Sequence, residues 1–149
     1  MQLKKLMVDS KAVWIDFSGL PGFSVEVANL SKKELNSLRK RCTEQKFDRK
    51  TRQLVEDLNE DKFVKEFTQA VIKNWKGLKL SHLETLLLID MGSEDPEKEL
   101  EYTSENAETL VSSSTEFDTW LNEVVFDLEN FRTGTKKRTI GKTGSISKE

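Results

Sequence analysis

Cysteine occurs once, at Cys42, so neither an intrachain disulfide nor a cysteine-based zinc site can form. A single thiol fits a reducing cytoplasm. Arg41 stands beside it, and a neighbouring base can lower a thiol pKa; in a helical stripe, however, Cys42 reads as a buried residue. Histidine also occurs once, at His82. A Ser–His–Asp arrangement needs a nucleophile, a base and an orienting group. No G-x-S-x-G stretch marks a nucleophile, and Gly19 and Gly22 merely flank Pro21. His82 therefore reads as a helix or turn residue with a satisfied ring. Long apolar runs are missing too. The longest is "LLLI" at Leu86–Ile89, far short of a membrane span, and the N-terminus has no apolar run long enough for a signal peptide. A soluble, unsecreted protein is expected.

A strong charge of one sign is also absent, since the net charge over 149 residues is only −2. That sum hides segregation. Residues Ser31–Gln53 carry nine bases and three acids; Glu94–Asn130 carry twelve acids and one base; Arg132–Glu149 carry six bases and one acid. The blocks are open to three readings. They are solvated or mutually neutralising faces, complementary surfaces for copies of the chain or another protein, or phosphate-binding patches. The basic blocks lack the interleaved aromatics of a single-strand binder, and the acidic block would repel phosphates. The acidic stretch "SEDPEKELE" lacks the spacing and glycine of an EF-hand loop and reads as a solvated loop. "GKTGS" (Gly141–Ser145) lacks the preceding strand of a phosphate-binding loop, and Lys136 stands where its first glycine is needed. No catalytic, cofactor-binding or metal-binding residue is expected, and no enzyme.

Hydrophobic residues make up 36% of the chain and charged residues 34%, with a mean hydropathy of −0.59, which points to a tail or exposed loops beside a packed core. "KAVWIDF" and "FSVEVANL" alternate apolar and polar residues around the turn residues "SGLPG", which predicts a β-hairpin over about 11–30. Ser31 and Glu34 have capping-box spacing and open a helix over about 32–42. "KFDRKTRQLVEDL" has no clear period and reads as a connection. Asn59 is a plausible cap for a helix over about 59–75, on which Phe63, Phe67, Ala70, Val71 and Trp75 share helical spacing, with Gly77 as its stop. Leu78–Ile89 fits either helix or strand; a short helix or turn followed by a brief strand, with "ELEY" pairing with "LLLI", is favoured. Thr103 or Ser104 caps a helix over about 103–112.

Ser113 and Glu116 form a second capping box. Phe117, Trp120, Leu121, Val124, Val125, Leu128 and Phe131 then define one amphipathic helix over about 114–131. Beyond it "TGTKKRTIGKTGSISKE" buries too little to offset its chain entropy and is expected to be disordered. The fold class expected is α+β, mainly α-helical: one domain over 1–131 with an N-terminal β-hairpin and about four helices, then a disordered basic tail over 132–149. Trp75 and Trp120 read as core. Trp14 falls on the strand face opposite Val13 and Ile15, so either both hairpin faces are covered or Trp14 marks a contact surface. The candidate partner-binding residues are Trp14, Trp120 and Phe131.

Several stretches, in order, resemble tail assembly chaperones of bacteriophages with long, flexible tails. They are "VANLSKKELNSLRKRCTEQKFDRKT" (Val27–Thr51), "VIKNWKGL" (Val71–Leu78), "TSENAETLV" (Thr103–Val111) and "SSTEFDTWLNEVVFDLENFR" (Ser113–Arg132). The W-x-G-L turn at Trp75–Leu78, the Glu105–Asn106 pair and the terminal helix are the most specific elements. The resemblance implies a non-enzymatic protein of the host cell cytoplasm, absent from the mature virion. Such chaperones coat the aggregation-prone tape measure protein and recruit tail tube subunits. Contacts between copies, head to tail, are a further expectation. Family members are often made in two forms, the longer by a ribosomal frameshift, and Lys136–Lys137 sits where such a junction would lie. No nucleic acid and no membrane is expected as a partner. The competing readings are a structural virion protein (head–tail connector or minor tail protein) and a nucleic-acid-binding adaptor.

Overall fold

Alternation produces the first two strands. In a computed structural model that describes residues 1–7 and 11–132, β1 (Ala12–Asp16) and β2 (Ser24–Ala28) pair antiparallel, with Val13 opposite Val27 and Ile15 opposite Val25. Ser31 then starts α1 (Lys32–Cys42): its side chain accepts from the Glu34 amide at 3.1 Å, and Glu34 Oε1 accepts from the Ser31 amide at 2.9 Å. This reciprocal cap stabilises the helix start by about 1 kcal/mol.

The stretch read as a connection is a second hairpin, β3 (Thr43–Asp48) and β4 (Gln53–Leu58), which follows α1 without a loop. Asn59 caps α2 (Glu60–Val71), accepting from the Lys62 amide at 3.1 Å. The helix expected over 59–75 stops at Val71, and Ile72–Lys76 forms β5, pairing with β2 so that the first sheet has the order β1-β2-β5. A bulge beside Glu26/Val27 explains the misreading. It inserts one residue between Ile72 and Trp75, so both face the core three apart, which imitates helical spacing.

The short helix expected after Leu78 is α3 (Leu80–Leu86), but no strand follows it. "ELEY" pairs instead with the residues before α3. The Leu80 amide donates to the Lys98 carbonyl at 2.8 Å and the Leu100 amide to the Leu78 carbonyl at 2.7 Å. Thr103 caps α4 (Ser104–Ser113), accepting from the Asn106 amide at 3.0 Å. Ser114 alone separates α4 from α5 (Thr115–Val125). It ends the first helix and caps the second, accepting from the Phe117 amide at 3.1 Å, so the cap lies one residue beyond Ser113.

The helix expected over 114–131 ends at Val125, and Leu128–Phe131 forms a 3-10 turn. Asp127 and Asn130 cause the break. Asp127 Oδ1 accepts from the Glu129 amide at 3.0 Å, and Asn130 Nδ2 donates to the Val124 carbonyl at 3.1 Å. Short polar side chains thus offer the backbone partners that a continued helix would not need. The architecture among the described residues is therefore mixed, with five α-helices and two small sheets. Apart from Arg132, the expected disordered tail over 132–149 lies outside the described residues.

One apolar cluster draws on β1, β2, β5 and all five helices. At its centre Phe17, Phe23, Phe117 and Trp120 pack together, with five pairs of ring centres 5.0–6.3 Å apart. Trp75 closes the edge of β5: its Nε1 donates to the Leu100 carbonyl at 2.9 Å, while Tyr102 donates to the Ile72 carbonyl at 3.1 Å. Each bond satisfies a backbone acceptor, one on the buried Ile72 and one on the half-buried Leu100, and leaving such a group unpaired in the interior costs about 1–3 kcal/mol.

Candidate protein-binding surface

The candidate contact residues part company in the fold. Trp14 is half-buried on the sheet face away from the core, where Lys76 Nζ sits 4.6 Å from the centre of its ring. Trp120 and Phe131 are only 5% and 6% exposed and lie in the core, with Phe131 showing one edge to the groove described below. Trp120 is held by the aromatic stack. Phe131 turns inward because the 3-10 turn carries it toward β1 instead of along a continued helix. The same break leaves Leu128, one turn earlier in the expected stripe, exposed.

Periodicity missed an exposed apolar pair. Along the β3–β4 arm every residue from Glu44 to Asp57 except Asp48 is exposed. Phe47 and Leu54 stand directly opposite one another on one arm face, 61% and 67% exposed. Burying two such side chains against a partner is worth about 1.5–3 kcal/mol each. Beyond this pair, Arg52 adopts a left-handed φ of +57° and its amide bonds to the Asp48 carbonyl at 2.6 Å, so the turn presents Arg49, Lys50 and Arg52. A two-stranded ribbon on its own is marginal in water. Its base is fixed by Asn59, whose amide donates to the Cys42 carbonyl at 2.8 Å and whose Nδ2 donates to Glu44 at 3.0 Å.

A second apolar region lies between the N-terminal segment and the 3-10 turn. Leu6, Met7, Leu30, Leu128 and Phe131 line a groove of about 610 Å³. Among the described residues, Lys11, Lys32 and Arg132 are the charged side chains that line it. Elsewhere Leu88 is fully exposed, next to the buried Leu86 and the core-packed Leu87. It leads into the acidic loop of Asp90, Glu94, Asp95 and Glu97.

The reactive side chains are occupied structurally. His82 Nδ1 accepts from the Lys79 amide at 3.2 Å, at the start of α3. Cys42 is fully buried, and burial, followed by the Glu66 carboxylate, pushes its thiol pKa up against the opposing Lys62 and Arg41. The lowering expected from Arg41 alone is therefore reversed. Lys79 is raised by its hydrogen bond and ion pair to Glu97 at 2.8 Å. Among the described residues no group of three or more His, Cys, Asp or Glu side chains is gathered to hold a metal ion. Nor is any helix there long and apolar enough to cross a membrane. "GKTGS" lies outside the described residues.

Residues 29–142 match the family model of the YdaY prophage protein. The chain belongs to this family. It is thus a phage-derived protein, and the match takes in both arm strands, every described α-helix and β5. No curated protein and no solved structure matches it. The first hairpin lies almost wholly outside the matched stretch of the YdaY family, whereas the arm and the 3-10 turn lie inside it.

Proposed function

We propose that this YdaY-family chain is a phage tail assembly chaperone, which binds the tape measure protein and recruits tail tube subunits during tail morphogenesis. The β3–β4 arm is the observation that carries this reading. Its exposed Phe47–Leu54 pair lies clear of the core, with a cationic turn beside it. A tape measure before assembly offers long helical apolar stripes. A narrow apolar ribbon with a charged end suits many small, reversible contacts along such a stripe better than one permanent interface. Trp14, half-buried under Lys76, supplies a second aromatic edge on another face.

Phosphate binding fits the arm less well. Lys46, Arg49, Lys50 and Arg52 are matched in number by Glu44, Asp48, Glu56 and Asp57. The ordered helix α5 and the loop before α4 add further acids.

The test is co-expression of the chain with a tape measure protein. The expected result is a soluble complex that is lost when Phe47 and Leu54 are both replaced by serine. In infected cells, removal of the chain should give filled heads without tails, and mass spectrometry of purified particles should not find it. Normal tails in its absence, or a fixed number of copies per particle, would overturn the proposal; the second result would assign it to the virion structure.

A further inference from the structure

We propose that the β3–β4 arm selects, among apolar helical segments, those that carry carboxylates one turn beyond the stripe covering Phe47 and Leu54. This deepens the chaperone reading and rests on it for a helical target. The arm's charges balance in number but not in place. Opposite residues share a face, so Gln45, Phe47, Leu54 and Glu56 lie together on one side, and Glu44, Lys46, Val55 and Asp57 on the other. The second side neutralises itself, with Lys46 Nζ 3.1 Å from Asp57 Oδ2. The first side does not. Toward the root it carries Glu56, and beyond the apolar pair stand Arg49, Lys50 and Arg52. Among the described residues, none of these side chains forms an ion pair. Asp48, the acid nearest the turn, is half-buried and on the other side, and its Oδ1 accepts from the Lys50 amide at 2.9 Å.

The dimensions suit a helix laid along the first side. Two strands about 4.8 Å apart make a ribbon about 10 Å wide, close to a helix diameter of about 10–12 Å. A step of two residues along a strand is about 6.8 Å and a helical turn about 5.4 Å. Acids one turn past the apolar contact therefore meet the turn cations. Acids one turn before it would meet Glu56, so the charge order also sets which way the segment lies.

The rival occupant is an extended segment added to an arm edge. The Asn59 amide bonds to the Cys42 carbonyl, so by alternation Phe47 and Leu54 form a non-hydrogen-bonded pair. Their side chains stand close together and their amides point outward. The edges are short and carry the charges of Glu44, Lys46, Glu56 and Asp57, a pattern that discourages strand addition.

Two stapled helical peptides with the same leucine stripe test the rule. One has three glutamates beyond one end of the stripe, and the other has three lysines there. Amide NMR spectra of the full chain at about 0.01 M salt give both affinities. The glutamate peptide should bind in the micromolar-to-millimolar range. It should bind about tenfold tighter than the lysine peptide, since each exposed pair contributes about twofold. The preference should vanish at about 1 M salt, where the Debye length is about 3 Å. Arg49→Glu combined with Lys50→Glu should reverse it, and both positions are exposed, so the core is untouched. Equal affinities, a preference that does not reverse, or no binding of either peptide would overturn the proposal. So would exchange protection of the Gln45 and Phe47 amides, or of the Leu54 and Glu56 amides, which marks strand addition. The chaperone reading is scored separately. A tape measure protein held equally by the charge-reversed chain, yet lost with Phe47→Ser and Leu54→Ser, keeps that reading and sinks the charge rule. Peptides that obey the rule while no tape measure protein is held sink the chaperone reading and leave the arm's selectivity standing.

Discussion

Replacing Gly77 by alanine separates two costs that glycine positions often combine. Gly77 has a φ of +76°, and an L-residue pays about 1–2 kcal/mol to sit in the left-handed region. A Cβ there would also lie 2.8 Å from the carbonyl carbon of Gly22, and closer still to its oxygen. Both atoms are backbone, so no side chain can swing away; the loop between β1 and β2 must shift relative to β5. Forced overpacking of this kind costs about 1–3 kcal/mol, giving a total of about 2–5 kcal/mol. Gly19 supplies the control. Its φ is +89°, but a Cβ there meets nothing within 4 Å, so Gly19→Ala carries only the conformational part. With a slope of about 1–3 kcal/mol per molar in urea, the extra cost of about 1–3 kcal/mol should place the midpoint of Gly77→Ala about 0.3–3 M below that of Gly19→Ala. Coincident midpoints would refute the idea that close backbone approach, and not φ alone, requires glycine at position 77.

Replacing Phe47 and Leu54 by serine should leave stability within about 0.5 kcal/mol per site, since both are exposed, while abolishing tape-measure solubilisation; a large loss of stability would mean that the arm packs on something. Trp75→Phe removes the donor to the Leu100 carbonyl and should cost about 1–3 kcal/mol by denaturant unfolding, and an unchanged midpoint would deny that bond a structural role. The pH dependence follows from Cys42. Its folded pKa is raised above 9.0, so the folded chain keeps a proton that the unfolded chain releases, and stability falls as pH climbs past 9.0. Cys42→Ala should flatten the part of the decline that begins as pH passes 9.0, and an identical slope would refute it.

The caps and the first hairpin were legible because their signals are local. Ser31, Glu34, Asn59 and Thr103 act within one turn of themselves, and Val13, Ile15, Val25 and Val27 alternate without interruption. The misreadings arise where a long-range partner changes the period. β5 imitated a helix because pairing with β2 introduces a bulge, and no residue within 72–76 announces that pairing. The arm was invisible for the opposite reason: with both faces in water, neither selects apolar residues at every second position. Phe131 continued the helical stripe on paper, yet Asp127 and Asn130 end the helix first. Of the candidate partner-binding residues, Trp120 and Phe131 lie at helical spacing, a pattern that a core also produces, and both are buried, whereas Trp14 on its strand is half-buried. Phe47 and Leu54 carried no such pattern and became visible only as a cross-strand pair.

The arm is spliced between two helices with nothing slack at its root: α1 runs directly into β3, and only Asn59 stands between β4 and α2. Its heading is therefore dictated by the packed ends of those helices, while its far end is exposed. Such a cantilever can be extended two residues per strand at a time, gaining about 6.8 Å of reach and keeping every side chain on its original face. Reach and grip thereby become adjustable in kin of this chain without disturbing a single residue of the interior.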